Sequence, residues 1–280
     1  MPKISVNQNN IVLLSHITPR HQIEQEFFDC YANTVKVDKV NLDSTFTRIS
    51  RENQYILRRI GNLAGKKVLD LGCGIGDASV AFARRGATVS GIDISKKMVE
   101  IASALARKAE HRITIKQMNA EKLLFENETF DLVYGRGILH HVNITLTTKE
   151  VFRVLKKDGK AIFVEPLAHN PMIKIYDKVA DSIRSPVERR ISSSEIDGLS
   201  NLFSSVYYRG LHLFTLPVFG LYYLNKARKA KADVFWFQDI ERGECYRNLY
   251  IPLQWMDNLV LTALPFLRKY CWKCVIECVK

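Results

Sequence analysis

The chain has 280 residues, of which 47% are hydrophobic and 25% charged, with a formal net charge of +12. That length and apolar content suit one large globular domain, or one domain with a substantial insertion. The longest uncharged run, Gly210 to Asn225, is broken by Pro217 and Gly220 and falls short of the ~20 apolar residues of a spanning helix, which argues against an integral membrane protein.

Met1 to Asn10 carry one lysine and no apolar core, so no secretory signal is expected. The six cysteines, at 30, 73, 245, 271, 274 and 278, lie in a chain too large to need staples. Reduced thiols and a cytoplasmic location are the expectation. The tail CWKCVIECVK has metal-like C-x2-C-x3-C spacing but no fourth ligand nearby; packing is the simpler role, and no metal is expected. The positive charge suits nucleic acid, an anionic lipid surface or an acidic substrate. Its densest short cluster, Asn225 to Asp233, also reads as an ordinary solvated face.

In chain order, His21 to Asn33 reads as a helix with Ile23, Phe27 and Tyr31 on one face. From Lys66 to Glu165 short β-rich runs alternate with helical stretches. Strands are expected at Lys67 to Leu71, Thr88 to Asp93, Ile113 to Met118, Phe130 to Tyr134 and Lys160 to Glu165. After the first, Ala78, Ala81, Phe82 and Arg85 share a helical face that Gly86 stops. After the second, Ser95 can cap a helix whose Met98, Ile101, Ala102 and Leu105 face one way. Gly159 is expected to turn the chain into the fifth strand. The alternation predicts an α/β, doubly wound, mostly parallel sheet. Further on, the stretches beginning at Met172 and Ser193 look helical, Ser205 to Phe214 looks like a strand, and the cysteine-rich tail makes a last strand. The predicted division is a helical cap over 1–60, a core over 61–214 with a helical substrate-side segment at 166–204, an aromatic insertion or lid over 215–266, and a final core strand over 267–280.

The stretch KVLDLGCGIGD, Lys67 to Asp77, carries the chemistry. A strand that runs into glycines and then a helix lets a ligand approach the backbone at the carboxyl end of a parallel sheet. A dinucleotide fingerprint, counted from Gly72, needs its third glycine at the position that Asp77 occupies. A carboxylate there repels a pyrophosphate, which disfavours an NAD-type oxidoreductase and suits a cofactor without phosphates.

VLDLGCGIG, VSGIDIS, NAEKLLFENETFDLVYGRGILHHV and VFRVLKKDGKAIFVEP, in that order, resemble the class I S-adenosylmethionine-dependent methyltransferases, in particular the small-molecule group related to the ubiquinone and menaquinone enzymes. The resemblance covers roughly Lys66 to Pro166 and implies a seven-stranded Rossmann-like sheet. It also implies that Gly72, Cys73 and Gly74 present backbone to the methionine part of S-adenosylmethionine, with Asp70 ordering the turn. Asp93 would accept the ribose hydroxyls, Ile94 and Met98 would pack on the adenine, and Asn119 and Ala120, with Glu121 nearby, would lie at its amino edge. Gly135 would offer its carbonyl to the ammonium, and Tyr31 would help cover the cofactor.

Methyl transfer from a sulfonium is an in-line displacement, so positioning and water exclusion carry most of the catalysis; a base is needed only for a poorly acidic hydroxyl or a protonated amine. Candidates at the carboxyl ends of the fourth and fifth strands are His141 with its neighbour His140, Glu165 and His169. His140 and His141 also fit a packing role, and His169 an ordinary loop. The expected acceptor is a small molecule, a glycan or a lipid-linked compound methylated at oxygen. Contact with an anionic membrane surface is a further reading of the 215–266 segment. A silent partner-binding subunit and an RNA methyltransferase remain as alternatives; against the latter stands the lack of a separate RNA-binding module.

Overall fold

A computed structural model describes residues 17–35, 37, 40, 46, 51–172, 185–222 and 246–280. The predicted helix over most of 172–185 and the basic cluster at Asn225 to Asp233 fall largely or wholly outside these residues. The described elements are α1 (Pro19–Ala32), α2 (Arg51–Ile60), β1 (Lys67–Leu71), α3 (Asp77–Ala83), β2 (Thr88–Asp93), α4 (Lys96–Ala109), β3 (Ile113–Gln117), β4 (Phe130–Arg136), α5 (Ile144–Val154), β5 (Leu155–Pro166), α6 (Ser193–Gly198), β6 (Ser205–Leu211), α7 (Leu216–Tyr222), α8 (Arg247–Ala263) and β7 (Lys273–Val279).

The strands form one seven-stranded sheet in the order β3-β2-β1-β4-β5-β7-β6. β1 to β5 run parallel, and β7 enters antiparallel between β5 and β6. The order reverses between β1 and β4, so a crevice opens there at the carboxyl ends, where an open α/β sheet binds its ligands. Leu69, Leu71, Val133 and Phe163 bury one face of the sheet. Val68, Val89, Leu132 and Ile162 bury the other, against α2 and α3. Strands covered on both faces read as near-continuous apolar runs, which is why β1, β2 and β4 stand out in the sequence.

Local chemistry sets the helix starts. Ser95 caps α4 by accepting from the Met98 N–H at 3.1 Å. Thr18 and His21 form a capping box at α1. Several expectations need correction. On α1 the buried residues are His21, Glu24 and Ala32, whereas Ile23 is exposed; polar side chains point inward because they meet polar partners across the crevice. α3 ends at Ala83, before Arg85. β5 starts at Leu155, not Lys160, and Gly159 lies within it at a register shift between Phe130 and Leu132 of β4. Asp158, at φ 60°, supplies that bulge. β6 stops at Leu211 rather than Phe214.

Cys271, Cys274 and Cys278 are fully buried in the apolar core. Burial pushes the thiols of Cys271 and Cys278 up to about 12 and raises that of Cys274 well above the ordinary thiol range.

Candidate functional site

The glycine turn is stapled to the end of β2. The Cys73 N–H donates to the Ile92 carbonyl at 2.8 Å, and the Gly74 N–H donates to the Asp93 carboxylate at 2.9 Å. The other Asp93 oxygen accepts from the Ser95 N–H, also at 2.9 Å. Each oxygen of a carboxylate can accept twice, so Asp93 keeps capacity for two further donors. Gly74, at φ +51°, has open space where a side chain would stand, which leaves its backbone approachable. Gly72, at φ +69°, and Gly135 are both covered by Ile138: a Cβ would come within 2.8 Å and 2.7 Å of its side chain, respectively.

Asp70 is buried beneath the turn, where it accepts the Ser79 hydroxyl proton at 2.6 Å. Burial, with the negative charges of Asp77 and Asp93, pushes its carboxyl up to about 7. Burial raises Asp93 too, and it raises the Cys73 thiol, with Asp70 and Asp93 adding to the shift. Three carboxylates crowd one turn. Such a site repels phosphates and favours a cationic ligand.

β4 and β5 position the opposite wall. Glu165, fully buried, accepts from the Ile138 and Leu139 N–H groups at 3.0 and 2.8 Å. Its second oxygen lies 2.6 Å from His140 Nδ1. Burial lifts Glu165 to about 7, against the pull of those N–H groups, and holds His140 well below the ordinary histidine range. His141 Nδ1 meets Glu24 Oε1 of α1 at 3.0 Å, and its ring stands edge-on to Phe28. The other Glu24 oxygen is buried without a hydrogen-bond partner. His140, His141 and Glu188 bring potential ligand atoms within 4.8 Å of one another. His169 is exposed, and its Nε2 reaches the Ser193 N–H and hydroxyl at 3.5 Å.

α1 also reaches the residues that follow β3 and the start of α4. His21 Nε2 meets Glu121 at 3.0 Å, and Asp29 accepts from the Ser95 hydroxyl at 2.5 Å. Asn119 is buried, with its side-chain oxygen accepting the Glu121 N–H at 2.9 Å. Ala120 is buried beside it. Ile94 is half-buried and its carbonyl accepts from Gln117 at 3.0 Å. Tyr31 packs with Ile75 and Met98 next to the glycine turn.

Sequence reasoning missed His21, Glu24 and Asp29. Their signal was available: His21 and Glu24 sit three residues apart, on one face of a helix. It also missed Glu52, which is buried where Arg136 approaches it at 3.0 Å and His212 at 3.3 Å. That contact joins residues too far apart in the chain for any motif to link.

Residues 68–159 match the family model described as a methyltransferase domain. The uncharacterized methyltransferase YcgJ of Bacillus subtilis is 31% identical over 160 residues, covering 55% of this chain and 62% of that protein. The demethylmenaquinone methyltransferase of Lactococcus lactis is 34% identical over 157 residues, covering 54% and 61%. The aligned stretches thus span about three fifths of these relatives. In fold, the chain resembles the phosphoethanolamine N-methyltransferase 2 of Haemonchus contortus solved with S-adenosyl-L-methionine, with TM-score 0.55 and 20% identity over 90% of this chain and 60% of that one. With the 3-2-1-4-5-7-6 sheet and the acidic glycine turn, these matches place the core of the chain, over residues 68–159, in the class I S-adenosylmethionine-dependent methyltransferases.

Proposed function

We propose that the protein transfers the methyl group of S-adenosylmethionine to an oxygen of a small-molecule, glycan or lipid-linked acceptor. The observation that carries this reading is the crowding of Asp70, Asp77 and Asp93 at one glycine turn, which a cationic, phosphate-free cofactor offsets. The unfilled space above Gly74 and the spare acceptor capacity of Asp93 fit the same ligand.

When bound, the cofactor supplies an electrophilic methyl on a sulfonium. The chain supplies the rest. Asp93 would hold the ribose hydroxyls, the Gly72 to Gly74 backbone would receive the methionine part, and Gly135 would accept from its ammonium. Ile94, Met98 and Ala120 would enclose the adenine, and Tyr31 would cover it. Glu24 accepts from His141 Nδ1, a tautomer that leaves Nε2 as a base for the acceptor hydroxyl. Glu165 holds the turn that carries His141, and is a positioning residue in this reading. The partnerless Glu24 oxygen offers a bound acceptor a buried hydrogen-bond site. His141 replaces His169 as the preferred base because His169 is exposed and tied to Ser193. In this reading the described residues of the 166–204 segment would face the acceptor.

Calorimetric titration with S-adenosylhomocysteine tests this reading. Micromolar binding, weakened about tenfold or more by Asp93→Ala through loss of charge-assisted hydrogen bonds, is expected. No binding heat and no competition by S-adenosylmethionine would leave the silent-subunit reading in its place.

A further inference from the structure

α8 is built inside out. Its buried face carries Tyr250, Gln254, Asp257 and Leu261. Its outward stripe carries Pro252, Trp255, Met256, Leu259 and Ala263, with Leu249 at its edge, all exposed and without a charge. Trp255 is 62% exposed and Leu259 72%. The next turn continues the stripe with Phe266, 64% exposed. Asp257 is drawn inward by the Phe214 N–H and the Thr215 hydroxyl, at 2.6 and 2.9 Å. Those bonds fix which way the helix faces. A contiguous apolar face of this kind marks a contact surface.

The charge around it identifies the occupant. Between residues 246 and 280 the acids are Asp257 and Glu277, and both are buried. The cations Arg247, Arg268 and Lys269 flank the stripe at its two ends. A second copy of the chain would bring these cations against one another with no exposed acid in the segment to meet them. A lipid surface of negative charge meets them with the opposite sign, while Trp255, Leu259 and Phe266 enter the interfacial layer. Beside the stripe, a cavity of about 370 Å³ is lined by Trp255 and by Arg58, Arg209 and Arg268. Glu52 and Asp257 also line it, their carboxylates engaged with Arg136 and Thr215. Three guanidiniums beside an exposed tryptophan suit a lipid phosphate.

We infer that the outward face of α8 and the turn after it rest on an anionic lipid bilayer. This surface does not depend on the methyl-transfer reading, since none of its residues belongs to the cofactor crevice. It would bring a lipid-linked acceptor to the protein.

Cosedimentation with vesicles tests the inference, using phosphatidylcholine alone and phosphatidylcholine mixed with phosphatidylglycerol. Binding to the mixed vesicles is expected, weakened by added salt, and reduced about tenfold in the Trp255→Ser/Leu259→Ser variant. Binding of S-adenosylhomocysteine should be unchanged in that variant, which separates this result from the fate of the cofactor site. Should the double variant fail to fold, Leu259→Asp alone, at the most exposed position, carries the test. The inference is overturned by equal pelleting with both vesicle types, by pelleting that the variants do not change, or by a concentration-dependent dimer that the variants dissolve while vesicles bind nothing.

Discussion

Glu165 and His140 share a buried contact of 2.6 Å, and the second Glu165 oxygen holds the Ile138 and Leu139 N–H groups. One carboxylate at the end of β5 thus fixes the turn after β4, and that turn places Ile138 over Gly72 and Gly135 and His141 against Glu24. Glu165→Ala would leave two buried N–H groups and an imidazole without their acceptor. The expected loss is about 2–5 kcal/mol of stability, together with weaker S-adenosylhomocysteine binding. Glu165→Gln keeps one acceptor oxygen and should restore more than half of the stability. Chemical denaturation of the three proteins measures both effects.

The packing of Ile138 on Gly135 gives a second prediction. A Cβ on Gly135 would meet Ile138 Cγ2 at 2.7 Å and Phe163 Cδ1 at 3.0 Å. Gly135→Ala should therefore cost about 1–3 kcal/mol as an overpacked core substitution. Ile138→Ala removes the nearest clashing atom, so the double mutant should be more stable than the sum of the single effects requires. Strict additivity in denaturant melts would show that Ile138 does not bear on this site.

The glycine turn and the Glu24–His141 contact differ in how much the sequence disclosed. β1 and β2 were legible to the residue because each is a short β-rich run with a sharp end, at the glycines for β1 and at Asp93 for β2. The bulge in β5 was not, because Lys156 to Gly159 reads as a turn whether the strand starts before it or after it. On α1, the aromatic residues suggested the buried face, yet His21 and Glu24 occupy it. A buried charge is stable only with partners, and those partners, Glu121 and His141, lie about a hundred residues away in a crevice that no local period predicts. Asp70, Gly72 and Asp93 were legible because the turn, the close approach and the strand end each demand a residue type. The Glu24–His141 contact had no such local requirement.

Asp70 makes a prediction of sign. Its carboxyl, pushed up to about 7 by burial first and then by Asp77 and Asp93, holds a proton that the unfolded chain releases near pH 4. Between those values the folded state binds more protons than the unfolded state, so the unliganded protein loses stability as pH rises from about 4 to 7. Asp70→Asn removes this liability and should raise the melting temperature of the unliganded protein above pH 7, by a gain on the order of 1–3 kcal/mol. The fall with pH should be shallower but still present, because Glu165 titrates in the same window. Affinity for S-adenosylhomocysteine should drop in the same variant, since the charge that burdens the empty turn is the one that attracts a cationic ligand. Melting curves across pH, with and without the ligand, read both signs.

His141 and Glu24 form the pair whose removal should separate chemistry from binding. His141→Asn and Glu24→Gln leave the glycine turn and Asp93 intact, so S-adenosylhomocysteine affinity should hold within about threefold. If the acceptor needs a base, turnover should fall about 10²–10⁴-fold, the usual range for general-base removal. His169→Ala should leave turnover unchanged. Formation of S-adenosylhomocysteine over a panel of hydroxylated acceptors measures this. Full activity in His141→Asn would assign the transfer to positioning alone, as for an acceptor that arrives already ionised or neutral.

The last prediction concerns Glu52, buried near the carboxyl ends of β4 and β6 and the amino end of β7. Burial by itself would raise this carboxyl, but Lys273, Arg136 and His212 outweigh it and hold the group well below the usual range. The unfolded chain therefore takes up its proton first as pH falls, and the stability this carboxylate contributes is present above about pH 4.5 and lost below it. Arg136 approaches Glu52 at 3.0 Å and also donates to Tyr134 and Asn53, so Arg136→Met should strand a buried charge at a cost of about 3–5 kcal/mol. Adding Glu52→Gln should recover a large part of that loss, because the uncompensated charge rather than the missing contact is the main penalty. The acid limb of the stability profile would then flatten. A double mutant no more stable than Arg136→Met would mean that Lys273 and His212 already compensate Glu52 without the arginine.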